Sequence, residues 1–251
     1  MYLNILKKDL KRKRAMNIIL LVFIILASMF VSSGVSNILT VTTALERYFE
    51  MADVPDYFAL YQNKASDKDV YKVLESASAI DEFRIEEGIT ITQSNITRKG
   101  EPLNASNTSQ TLTLQSDRVM GINYFLDDGS ILKSVPKGKI YTAAFTEKNM
   151  GLKVGDRIII EVEGVSREFT FAGGFKDAVL GSELTGVKRF IINGEDFDEY
   201  MSNETIKTMY NGKTLYIHTA DIDRTKSQIA DISDCFTFEG NMDILNQAYI
   251  F

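Results

Sequence analysis

"KDLKRKRAMNIILLVFIILASMFVSSGVSNILTVTTALERYFEMADV", Lys8–Val54, decides what the rest of the 251-residue chain is attached to. Residues 1–14 hold Lys7, Lys8, Lys11, Arg12, Lys13 and Arg14 against one acid, Asp9, and from Ala15 to Leu45 no side chain ionises. A hydrocarbon core of ~30 Å is crossed by about 20 apolar residues in a helix, and residues 15–35 supply them. Ala15, Ile18, Leu21, Ile25 and Val35 mark this span. Its Ile, Leu, Val and Phe side chains each favour insertion by roughly 0.3–0.6 kcal/mol, about 5 kcal/mol in all, with no buried charge opposing them. The basic cluster in front keeps the N-terminus cytoplasmic and places the bulk of the chain outside a cell membrane.

A cleaved signal peptide begins in the same way, and Ser32-Ser33-Gly34 would serve as small residues before a cut. The apolar run, however, is longer than the ~7–15 residues of a signal-peptide core. Beyond it the helical register continues through Val35, Ile38, Thr42, Leu45 and Phe49, with no proline until Pro55. A helix from Ala15 to Glu50 would be about 54 Å long, roughly 20 Å more than the membrane core needs. The segment is therefore read as a retained anchor, residues 15–35, followed by a helical stalk, residues 36–52. Ile38, Thr42, Leu45 and Phe49 form the stalk's apolar face, available to a second copy, to the protein's own domain or to further transmembrane helices.

Past residue 14 the chain carries 22 basic and 33 acidic residues, a net charge of −11. Such a surface disfavours nucleic acid and anionic lipid headgroups as partners. Cys235 is the only cysteine, so no intrachain disulfide can form, and it reads as a small apolar filler. Four glycosylation-type triplets begin at Asn95, Asn104, Asn107 and Asn203. With no disulfide, no tryptophan and many lysines, they read as chance products of a bacterial sequence.

The exported part alternates short strands and helices. "DYFALYQN" reads as a strand and "ASDKDVYKVLESASA" as a helix, with Ser66 and Asp69 as a capping box and Val70, Val73, Leu74 and Ala77 on one face. "FRIEEGITITQSNIT" and "TLTLQ" are strands around a polar loop at residues 99–110. Asp128-Gly129 reads as a tight turn. A short helix near Ala143–Met150 stops at Gly151, the residue type suited to a left-handed cap. Gly155 and Asp156 then turn the chain into a hairpin, with Ile158, Ile160 and Val162 on one face, a turn at Glu163-Gly164 and a bend or bulge at Gly173-Gly174. "VKRFIIN" is a strand, "GEDFDEYM" an acidic helix, "TLYIHTA" a strand, "DIDRTKSQIADIS" a helix with Asp223 as its N-cap, and "CFTFEG" a strand. Strand, polar cap, helix, strand thus occurs twice, at 56–91 and 214–238, which suggests two βαβ-like halves flanking a β unit.

No catalytic constellation is present. One histidine, His218, and one cysteine exclude zinc sites built from those residues. His218 reads as a satisfied surface or edge-strand residue. There is no G-x-S-x-G, H-E-x-x-H or phosphate-binding glycine loop. Asp127-Asp128 and the run Glu195 to Glu199 lack calcium-loop spacing and read as solvated acidic faces. Neither an enzyme activity nor a cofactor is expected.

The order of basic start ("YLNILKKDLKRKRAMN"), span, stalk and mixed domain carrying "AAFTEKNMGLKVGDRIIIEVEGVSREFTFAGGF" resembles the N-terminal part of the MacB/FtsX-like ABC transporter permeases, with their MacB-like periplasmic core domain. The resemblance covers essentially the whole chain. It implies an α+β extracytoplasmic domain with porter-like α/β halves, residues 53–130 and 182–251, and an inserted small β-rich subdomain, residues 131–181, whose start matches the turn at Gly151, Gly155 and Asp156. It further implies a separate cytoplasmic ABC ATPase and a second permease subunit as partners, the stalk carrying ATP-driven motion outward for export of peptides, lipoproteins or antibiotics, or for signalling. Such permeases continue with three more transmembrane helices, whereas this sequence ends at Phe251. The alternative is a stand-alone anchored ligand-binding or sensor ectodomain without an ATPase partner.

Overall fold

The computed structural model describes residues 13–62, 67–103, 111–179, 187–230, 232 and 237–239. The basic residues before Lys13, the Ser66 half of the capping box, Asn104 and Asn107, the boundary near residue 182, Cys235 and residues 240–251 lie outside them. The chain divides into two compact units, Met1–Tyr48 and Phe49–Phe251.

Helix α1 runs unbroken over Arg14–Ala52. At ~1.5 Å per residue, its 39 residues are about 58 Å long. Its apolar side chains stand open: Ile18, Leu21, Ile25, Val35 and Ile38 are all exposed. Span and stalk are thus one helix, and it is a candidate membrane span. The stalk's last turn, Phe49–Ala52, belongs to the second unit, where Phe49 and Ala52 are buried.

In that unit, β1 (Tyr57–Gln62), α2 (Asp67–Ser76) and β2 (Glu82–Thr92) make one βαβ segment. β11 (Asn211–His218), α5 (Ile222–Gln228) and β12 (Thr237–Glu239) make the other. They do not stand apart as two halves. They interleave in the order β12-β1-β11-β2 with every neighbouring pair antiparallel, the split βαβ arrangement. Helices α2 and α5 cover one face, where Val70, Leu74 and Ile229 pack on Tyr57, Ile85, Leu215 and Ile217.

Everything between β2 and β11 is an insertion into this block, wider than the expected 131–181. A 3-10 turn, Gln93–Asn95, leads to β3 (Ile96–Arg98) and β4 (Glu101–Pro102). Then come β5 (Thr111–Ser116), β6 (Phe125–Leu126), β7 (Lys139–Ala143), α3 (Ala144–Met150), β8 (Arg157–Val162), β9 (Val165–Lys176), β10 (Val187–Ile192) and α4 (Gly194–Met201). The sheet continues from β2 through β5, β10, β7, β9 and β8 to β3, which directly follows β2 in sequence. Strands of the expected β-rich subdomain therefore share one sheet with the split block, joined by β7–β10 and β8–β3 pairing. Ile89, Ile91, Leu112, Leu114, Ile140, Phe171 and Phe190 belong to the core this curl encloses.

Local signals hold where the cause is local. Glu163 and Gly164 both have positive φ, 47° and 78°, as a two-residue hairpin turn requires. Gly151 caps α3 in the left-handed region. Between β7 and β9 the partner of Ile140 is Phe171 but that of Tyr141 is Gly173, so Ala172 is a bulge. The extra residue reverses which side chains face inward: Phe171 lies in the enclosed core, whereas Phe175 packs tilted against Tyr124 outside it, with centroids 4.8 Å apart.

Two readings are corrected. The N-cap of α5 is Asp221, not Asp223: the Asp221 side chain accepts from the Arg224 backbone N–H at 3.0 Å. The acidic helix α4 is solvated on one side only: Glu195 and Asp198 are exposed, whereas Asp196 is buried. Asp196 accepts from the Gly138 N–H at 2.7 Å, Glu195 meets Lys137 at 3.0 Å, and Asp198 and Glu199 meet Arg118 and Arg167. Asn95 and Asn203 likewise spend their amides on the Glu161 and Glu163 carbonyls. Asp221→Ala should lower stability by about 1 kcal/mol while Asp223→Ala leaves it nearly unchanged, read from thermal unfolding of the two variants by circular dichroism.

Candidate functional site

The place where α1 ends inside the second unit is built with unusual completeness. A helix leaves its last four carbonyls without intrahelical partners. Here Val54 N–H donates to Phe49 O and Asp53 N–H to Glu50 O, both at 3.1 Å. This is the paired pattern of a Schellman cap, with buried Phe49 and Val54 as its apolar contact. The Met51 and Ala52 carbonyls accept from Asn123, through its side-chain amide at 3.1 Å and its backbone N–H at 2.8 Å.

Such a cap needs a left-handed residue, usually glycine. Asp53 takes that place with φ 55°. Its carboxylate sits 2.6 Å from the Arg84 guanidinium, and Arg84 also donates to the Gly121 carbonyl. His218 Nε2 lies 3.6 Å from Asp53 Oδ1, and Nδ1 3.9 Å from Asp56 Oδ2. His218 is therefore not an edge residue: it ends β11, which lies between β1 and β2, and its half-buried ring faces the helix terminus.

Below this junction lies a group of charges the sequence reading did not single out. Arg189 of β10 is fully buried. Its Nε is 2.8 Å from Asp177 Oδ2 and its Nη1 3.4 Å from Glu86 Oε2. It also contacts the Tyr124 hydroxyl and, at 3.3 Å, the Tyr216 hydroxyl. Tyr216 donates to Glu86 at 2.5 Å and Tyr124 at 3.2 Å. Burial pushes the Glu86 carboxyl above the ordinary range, against the pull of Arg189 and the Tyr216 hydroxyl. Burial also drives the Tyr216 phenol well up. Gly121 lies flat on the Tyr216 ring, where any Cβ would come within 2.2 Å of a ring carbon. The signal for Arg189 was present in "VKRFIIN": adjacent strand residues point to opposite faces, so Lys188 and Arg189 cannot both be solvent-facing in a strand whose neighbours are apolar.

The other residues singled out in sequence fall elsewhere. Ala15, Ile18, Leu21, Ile25 and Val35 lie along α1, where Ile38 and Thr42 are exposed and Leu45 half-buried. Phe49 packs within the second unit. Gly151, Gly155 and Asp156 do come together. Asp156 Oδ2 accepts from the Lys153 N–H and from Arg98 Nη1, each at 3.0 Å, and the same Arg98 nitrogen donates to the Gly151 carbonyl at 2.7 Å. Gly155, with φ 94°, donates to the Phe171 carbonyl. Partial burial raises the Asp156 carboxyl, but the Lys153 N–H and the Arg98 guanidinium outweigh it and hold it below the usual range. This corner orders the entry into β8.

Arg189→Met should be the most damaging single change, by about 3–5 kcal/mol, because it leaves buried carboxylates without their cation; thermal unfolding of the chain in nanodiscs measures it. Glu86 binds its proton more tightly folded than unfolded. Its contribution is complete below the unfolded value of about 4.3 and declines as pH rises through the folded one. Glu86→Gln should flatten the fall in Tm across that window, and an unchanged slope would show that the carboxyl is not the titrating group.

No family model matches the chain, and no curated protein sequence matches it. Among solved structures it is similar to a domain of a protein assigned as a permease from Porphyromonas gingivalis, at 10% identity and a TM-score of 0.37, over 71% of this chain and 83% of that one.

Proposed function

We propose that the chain is the first membrane span and extracytoplasmic domain of an ABC transporter permease of the MacB/FtsX type. The observation that carries this is α1: a 39-residue helix without an ionisable side chain from Ala15 to Leu45, exposed over that length apart from half-buried Asn17 and Leu45, whose last turn is capped within the second unit. Thirty-one uncharged residues are more than the ~30 Å of hydrocarbon requires, so the helix leaves the membrane as a helix. Its last turn, Phe49–Ala52, is held within the second unit by Asn123, Asp53 and Arg84. The sequence resemblance supplies the rest. A separate cytoplasmic ATPase moves the membrane helices, a second permease subunit completes the assembly, and the outside domain does mechanical rather than catalytic work in export or signalling.

The test is topological and biochemical together. In a Cys235→Ser background, Val154→Cys should react with a membrane-impermeant maleimide on intact cells and Lys7→Cys only after lysis. The chain purified from its native membrane should carry vanadate-sensitive ATPase activity. Release of a soluble domain lacking residues 1–35, or purification from that membrane without ATPase activity, would overturn the proposal.

A further inference from the structure

Two exposed turns meet beside the entry into β8. One is Lys99-Gly100, between β3 and β4, and the other is the loop of residues 151–156, between α3 and β8. Arg98 joins them, because its Nη1 donates to the Gly151 carbonyl and to Asp156. The tip of the loop is Val154, 71% exposed. It is held outward by a turn in which the Gly155 N–H donates to the Phe171 carbonyl and the Asp156 N–H to the Lys153 carbonyl. Leu152 is the residue this loop gives to the core, and Val154 takes no part in it.

The side chains around this tip are basic. Lys99, Lys148 and Lys153 are exposed, and among the described residues their ammonium groups have no hydrogen bond or ion pair. Arg98 meets Asp156 at 3.0 Å and Arg157 meets Glu168 at 3.4 Å, while Glu101 stands opposite Arg98 in register. Five cations thus face three carboxylates among the described residues, an excess of two. Glu147 lies against Gly174 instead, and residues 104–110, which follow in sequence, hold no ionisable group. A positive corner stands out on a chain that carries 22 basic and 33 acidic residues past residue 14.

Screening decides whether the corner or the whole chain is felt. At physiological ionic strength the Debye length is about 8 Å, so an anionic surface facing this corner feels its lysines and not the acids elsewhere. The valine among the lysines decides which kind of surface. At a membrane boundary an apolar side chain sinks between headgroups and acyl chains while neighbouring lysines pair with anionic headgroups. A dissolved polyanion offers Val154 nothing apolar. The chain also carries a candidate membrane span, which holds a bilayer at high effective concentration. We propose that this corner is a docking surface for anionic lipid headgroups, with Lys99, Lys148 and Lys153 on the phosphates and Val154 inserted at the boundary beneath them. Each lysine strengthens such a contact about fivefold, so three make it weak and reversible. The inference uses residues of the second unit, needs only a bilayer at hand, and stands apart from the permease reading.

The test uses the full chain in phosphatidylcholine nanodiscs, in a Cys235→Ser background, with an environment-sensitive fluorophore at one of two sites. Asn149→Cys lies exposed beside Lys148. Met209→Cys, at a position 74% exposed in the single π turn Ile206–Tyr210, lies toward the other end of the β8–β9 hairpin, where Tyr210 meets Glu163. Vesicles of phosphatidylcholine with phosphatidylglycerol should raise and blue-shift the emission at Asn149→Cys only, and phosphatidylcholine vesicles should change neither site. About 1 M salt, where the screening length falls to about 3 Å, should reverse the response. Lys99→Glu combined with Lys153→Glu should weaken vesicle affinity at least about tenfold. Val154→Asp should weaken it too, with Tm unchanged in both variants because all three side chains are exposed. No response at Asn149→Cys, an equal response at Met209→Cys, or indifference to the paired lysine variant would overturn the proposal. So would an equal response to poly-L-glutamate, which would make a dissolved acidic chain the partner.

Discussion

One buried guanidinium holds the two parts of the sheet to one another. Arg189 comes from the inserted strand β10; Glu86 and Tyr216 come from the split block; Tyr124 comes from the loop after β5; and Asp177 follows β9. An arginine withdrawn from water is tolerated only where its donors find acceptors and its charge finds a counter-charge. That demand fixes five segments at once. The bulge at Ala172 belongs to the same constraint, for without the reversal of facing it brings, the strand leading to Asp177 would point toward the apolar interior. Gly121 is the steric counterpart, the one residue type thin enough to pass over the Tyr216 ring.

The parts legible in the sequence are those whose cause lies within a few residues. The charge-free run of α1, the Glu163-Gly164 turn and the Gly151 cap follow from local chemistry alone. The two βαβ segments were visible as a repeated order, but not their interleaving, because strand order depends on pairings between residues more than a hundred positions apart. Composition also could not separate exposed Glu195 and Asp198 of α4 from buried Asp196, whose partner, the Gly138 N–H, lies 58 residues away. His218 could not be placed because its neighbours, Asp53 and Asp56, lie more than 160 positions away in the sequence.

Asp53 shows how a local rule gives way to a distant one. Glycine is the cheaper residue in a left-handed cap, and an aspartate there carries backbone strain. What offsets the strain is a carboxylate within reach of Arg84 and His218, two residues near one end of adjacent strands. The cap thereby fastens the helix to the sheet, which glycine could not do.

The loop from Asp117 to Tyr124 has two ends with different tasks. Arg118 meets Asp198 of α4, and Asn123, five residues on, closes the carbonyls of α1. Five residues span at most about 18 Å, and Asp117 pins the start of the loop through the Gly194 and Val135 N–H groups. Little slack remains between the two tasks. A residue lost or gained between Asp117 and Asn123 would therefore disturb both the start of α4 and the last turn of α1.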